Sequence, residues 1–121
     1  MNDCGRMIIT LKMPIVYIDQ WVNAQEKAKE FPDTFGLPDE HLLLRLRKDW
    51  TVKISNGEER FWVTVIDVDG EKIIGVVDNC LVGGYEYNYG DFVSFEKKHI
   101  YQIHTKTDHK RIKKELLKKK V

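Results

Sequence analysis

Three tyrosines, Tyr85, Tyr87 and Tyr89, alternate through a stretch bounded by Gly83-Gly84 and Gly90. In an extended loop, alternate residues project from one side, and aromatic rings presented that way stack on bases or grip a peptide. Packed inward, the same rings would close one end of a small β-domain as core. Lys97 and Lys98 follow at a short distance, and Lys110, Arg111, Lys113, Lys114 and Lys118 crowd the C-terminal end. These cations suit phosphate contacts, and the tyrosines and cations together are the candidate partner-binding residues. The C-terminal lysines also suit a solvated helix face or a basic localisation signal.

The other chemistry-bearing residues are less organised. His41, His99, His104 and His109 are the histidines, and the spacing of five between the last three fits neither a helix face nor a zinc motif. Cys4 and Cys80 have no Cys-x-x-Cys partner and read as free thiols, Cys80 half-buried. The carboxylate pairs Glu58-Glu59, Asp67/Asp69 and Asp91/Glu96 fall at turns, where solvated acids belong, whereas general acid–base work needs a carboxylate in an apolar pocket. Ser55 and Ser94 lack a nucleophile-elbow context. Gly83-Gly84 lacks the helix and lysine of a phosphate loop. These residues predict a non-catalytic protein with no metal and no cofactor.

Charge sharpens the partner class. Residues 104–121 carry eight Lys or Arg against Asp108 and Glu115, a net of +6, so the +1 of the whole chain leaves −5 on residues 1–103. A mildly acidic body with a basic tail calls for an acidic partner: nucleic acid, an acidic protein surface or anionic lipid. Ile8–Leu11 is too short for the apolar core of a secretory signal, and no apolar run approaches the roughly 18 residues of a membrane span. The expectation is an intracellular, reduced protein without a membrane span.

At 121 residues the chain makes one domain, and 42% hydrophobic with 32% charged residues is a globular composition rather than a disordered one. Met7–Met13 and Ile15–Ile18 read as short strands. Asp19 is placed to cap a helix over Gln20–Glu30, with Trp21, Ala24, Ala28 and Phe31 on one face, and Pro32 ends it. Residues 42–47 fit a strand by alternation, and equally a short helix capped by Asp39. From Trp50 onward five strands are predicted: Trp50–Ile54, Arg60–Val68, Glu71–Asp78, Phe92–Phe95 and His99–Ile103. Asn56-Gly57 and Asp69-Gly70 supply hairpin turns with positive φ at glycine. Both faces of the second strand are apolar, which predicts that it is covered on both sides and that Trp62 is buried. Asp108–Lys120 reads as a basic helix with a thin stripe of Ile112, Leu116 and Leu117.

The ordered set Glu59-Arg-Phe-Trp-Val63, Val68-Asp-Gly70, Ile74-Gly-Val-Val-Asp-Asn79, Tyr89-Gly-Asp-Phe-Val-Ser-Phe95 and Ile100 resembles a small family of domains of unknown function in bacteria, with relatives in large DNA viruses. With Ala24–Ala28 and Phe31 the resemblance spans roughly residues 23–104. Leu81 stands where the bacterial pattern has proline, and Gln102-Ile103 where it ends in Asp-Trp, which leans toward the viral type. The family implies no established activity and transfers no site residue. The cell compartment this implies for a viral protein is the cytoplasm or nucleus of a host.

The expected architecture is α+β: a small five-stranded antiparallel SH3-like barrel or roll, with an N-terminal strand and helix and a basic C-terminal helix. The globular domain would occupy 1–105, its β core about 50–103, and the tail 106–121. The expected function is a non-catalytic binding module making sequence-independent nucleic-acid contact through the tail. The alternative is a protein-interaction or structural component, as in a virion.

Overall fold

A computed structural model describes residues 15–31 and 36–105. The strand expected over Met7–Met13, the tail 106–121 and its basic helix lie outside the described residues. The elements run β1 (Val16–Tyr17), α1 (Ala24–Glu30), α2 (Glu40–Leu44), β2 (Thr51–Ser55), β3 (Arg60–Asp69), β4 (Lys72–Val77), β5 (Phe92–Glu96), a 3₁₀ turn (Lys97–His99) and β6 (Gln102–His104).

The strands form one open sheet in the order β1-β5-β4-β3-β2-β6. Neighbours from β5 through β6 are antiparallel, whereas β1 lies parallel to β5, with Val16 opposite Phe92 and Tyr17 opposite Val93. This mixed six-stranded sheet with two short helices replaces the expected five-stranded antiparallel SH3-like barrel. Four of the five segments expected after Trp50 are strands, but the fifth is shorter and later than His99–Ile103: His99 belongs to the 3₁₀ turn and the strand is Gln102–His104. This β6 pairs with β2 while β1 takes the outer edge of β5, so the sheet ends are not joined to each other.

Side-chain alternation puts Val52, Ile54, Phe61, Val63, Val65, Ile73, Val77, Val93 and Phe95 on one buried face. Gly75 belongs to that face because a Cβ there would strike the Val63 Cγ1 and come within 2.8 Å of the Thr64 carbonyl oxygen. The close neighbour is therefore Val63, on the paired strand. The opposite face of β3 is less covered than its apolar residues suggest. Trp62 and Thr64 are half-buried and Ile66 is exposed. A register shift falls between Val65 and Asp67, and Val68 beyond it is again packed against the core.

The helix α1 begins at Ala24, later than its periodicity suggests. Asn23, not Asp19, is the N-cap: its Oδ1 accepts from the Gln25 and Glu26 amides, both at 3.1 Å. Trp21 precedes the helix, is buried, and donates its indole N–H to the Ser94 carbonyl at 2.8 Å. Phe31, expected on the packed face, is 50% exposed. The Asp39 carboxylate accepts from the His41 amide at 2.8 Å, and this cap makes residues 40–44 a helix rather than a strand. Gly57 and Gly70 have φ of 95° and 62°, as their turn dipeptides predict. The β2–β3 connection is nevertheless a four-residue loop, in which the Asn56 Oδ1 accepts from the Glu58 and Glu59 amides, both at 2.9 Å.

Candidate functional site

The β4–β5 connection carries the three tyrosines, and the structure separates them. Tyr87 is 3% exposed and joins the core. Its ring lies 5.6 Å from Trp21, 6.0 Å from Phe61 and 6.1 Å from Tyr17, and it stacks at 5.5 Å on Tyr85, which is half-buried. The Tyr87 hydroxyl donates to the Asp19 Oδ2 at 2.6 Å and accepts from the Asn56 Nδ2 at 3.1 Å. Burial, reinforced by the Asp19 carboxylate, pushes the Tyr87 phenol well above the ordinary tyrosine range. Tyr89 is 47% exposed. The expected one-sided row of rings does not form: two tyrosines serve the core and one remains on the surface.

Glu59 fastens the same loop. Its carboxylate accepts from the Gly83 amide at 2.9 Å and the Val82 amide at 3.3 Å, and it shares a hydrogen bond with Tyr85. Burial alone would raise its pKa, but the bonds from Gly83, Tyr85 and Val82 outweigh that and hold it below the usual carboxylate value. Read from sequence, Glu59 is only a turn acid.

Lys97 and Lys98 lie in the 3₁₀ turn, where Lys98 pairs with Glu96 at 3.6 Å. This turn follows β5 and the tyrosine loop precedes it. Five residues of strand at about 3.4 Å each separate the two by roughly 17 Å. The tyrosines and these lysines do not make one site. Lys110, Arg111, Lys113, Lys114 and Lys118 lie outside the described residues. Cys80 is exposed and disulfide-bonded, not a half-buried thiol. Among the described residues no group of three or more His, Cys, Asp or Glu is gathered for a metal, and no helix is long and apolar enough to cross a membrane.

A second constellation forms on the outer face of the sheet. Pairing sets Lys53 opposite both Trp62 and Gln102, and Thr51 opposite His104. The His104 imidazole stacks on Trp62 with centroids 4.3 Å apart and planes 26° from parallel. The Lys53 Nζ lies 4.9 Å from the Trp62 ring, within cation–π range. Nearby, the Arg60 guanidinium sits 5.0 Å from the Tyr101 ring. Leu37, Pro38, Arg60, Tyr101, Gln102 and His104 line a shallow depression of about 390 Å³ beside this stack.

No family model, no curated protein and no solved structure matches the chain.

The aromatic–cationic face escapes sequence reading because its members come from three strands. Trp62 reads as core and His104 as a stray histidine. The signal that finds them is the pairing of β2 with both β3 and β6, which puts Lys53 between Trp62 and Gln102.

Proposed function

We propose that this protein is a non-catalytic binding module that contacts nucleic acid without reading its sequence, with the basic segment 106–121 supplying most of the charge. The observation that carries the reading is where that segment begins. The +6 charge of residues 104–121 starts on the edge strand β6, whose register neighbour Lys53 and nearby Arg60 bring further cations to the same side. Lysines that neutralise phosphates release condensed counterions, so such binding is strong in dilute salt and falls steeply as salt rises.

A mobility-shift titration tests this. The full chain should shift both duplex and single strands in roughly 50 mM salt, with a log–log salt slope of about −3 to −5 for a handful of phosphate contacts. A full-length variant with Lys113, Lys114, Lys118, Lys119 and Lys120 changed to Gln should lose most of that slope. Absence of any shift at low salt overturns the reading and favours an acidic protein as the partner of the tail.

A further inference from the structure

We infer that the Trp62–His104 stack is a platform for an unpaired base, so that the polymer held on this face is single-stranded nucleic acid. The inference rests on the nucleic-acid reading above and adds a site and a strand class to it. His104 belongs to both features of the face: its ring lies on Trp62 at 4.3 Å, and it borders the depression of about 390 Å³. That volume is within the range of small-ligand clefts. A flat ring entering the depression continues the existing stack on the imidazole. Bases inside a duplex are covered on both faces by their neighbours and cannot do this, whereas bases of a single strand can.

Charge separates this depression from its neighbours. Two others of similar size, about 380 and 400 Å³, mix charges: Glu58 and Glu59 stand beside Lys27 and the same Arg60 in one, and Asp19 and Glu96 beside Lys72 in the other. In both, carboxylates match or outnumber the lysines and arginines. The described lining of the depression beside His104 contains Arg60 and no carboxylate, and Lys53 stands over the ring of Trp62, on which His104 stacks. The basic segment continues from β6 within two residues of His104. A strand whose base stacks on His104 has Arg60 in the lining and Lys53 over the Trp62 ring as cations for its backbone.

The test compares a labelled oligothymidylate of about 15 nucleotides, a length typical of single-strand sites, with a duplex of equal length, using the full chain. His104→Ala should weaken single-strand binding roughly fivefold or more, the scale of one stacked base. Its salt slope and its duplex affinity should stay unchanged. His104→Phe, which keeps a flat ring, should restore the single-strand affinity. Gln102→Glu, at an exposed position, gives a second variant that does not disturb packing. It puts a carboxylate in the lining and should weaken single-strand binding severalfold. Equal affinity of the parent protein for strand and duplex overturns the platform, as does indifference of single-strand binding to both His104→Ala and Gln102→Glu. In either case binding that still depends on the tail lysines leaves the nucleic-acid reading standing. No binding of either polymer removes both.

Discussion

The Tyr87 hydroxyl donates to the Asp19 carboxylate across 2.6 Å, tying the segment before α1 to the loop between β4 and β5. The two residues are 68 apart in sequence, so this bond and the one from Asn56 close a long loop around one buried ring. Tyr87→Phe keeps the ring and removes both bonds. It should cost about 1.5–3 kcal/mol, the range for hydrogen bonds to a charged group. Tyr87→Ala also empties the space between Trp21 and Phe61 and should cost about 3–5 kcal/mol. Urea denaturation of the two variants measures the difference. Equal losses would mean that the ring contributes nothing beyond its hydroxyl.

Glu59 gives the loop an acid-sensitive anchor. Its folded pKa is depressed, so its contribution is present above the unfolded value of about 4.3 and is lost as pH falls through the lower folded value. Amide hydrogen exchange at Val82 and Gly83 should therefore accelerate in that acid range relative to the sheet. In Glu59→Gln that pH dependence should disappear. Unchanged protection of both amides down to pH ~2 would show that the carboxylate does not hold them.

His99 acts in a higher window. Burial, with the charge of Lys98, lowers its pKa against the opposing pull of Glu96, and its Nδ1 accepts from the Glu96 amide at 3.0 Å. The neutral imidazole is the stabilising form. Its contribution is complete above the unfolded value of about 6.5 and declines as pH falls through the depressed folded value. NMR titration of the His99 ring should give a midpoint below that of an exposed histidine. A midpoint above it would reverse the assignment.

Gly75 and Gly70 should respond to substitution for different reasons. Gly75→Ala drives a methyl into the Val63 side chain and the Thr64 carbonyl, and overpacking of this kind costs about 1–3 kcal/mol. Adding Val63→Ala should recover only part of that, since the carbonyl stays. Gly70 has open space around it and φ of 62°, so Gly70→Ala should cost about 1–2 kcal/mol from the left-handed backbone alone. Thermal unfolding distinguishes the two: a Val63→Ala background should change the cost at Gly75 and not at Gly70.

Trp62→Ala should cost less than the 3–5 kcal/mol or so of a fully buried ring. The side chain is half-buried, and its contacts are with His104 and Lys53 on the outer face. A loss in the full range by chemical denaturation would return Trp62 to the core.

Strand positions were legible because β-branched residues alternate and glycine turns punctuate them, as between Arg60 and Val77. Partnership was not legible. Nothing in Val16-Tyr17 announces a parallel neighbour at Phe92, since the pairing depends on a chain path that local periodicity does not encode. The helix cap is not legible for a related reason. Asp19 and Asn23 are both good caps by type, and the demand of Tyr87 for a buried acceptor decides between them. The alternation of Tyr85, Tyr87 and Tyr89 suggested a common direction, but the loop is not a strand, so a period of two carries no meaning there. The outer face around Trp62 was hidden because its members meet only through sheet pairing.

The Trp21 indole has a consequence for how this sheet meets other sheets. Its N–H occupies the Ser94 carbonyl at 2.8 Å on β5, just beyond the pairing of β1 with Phe92 and Val93 among the described residues. A side chain there cannot be lengthened into a ladder as a backbone strand can. The indole stands where an incoming chain would place its first amide, so it acts as a steric stop against edge-to-edge growth.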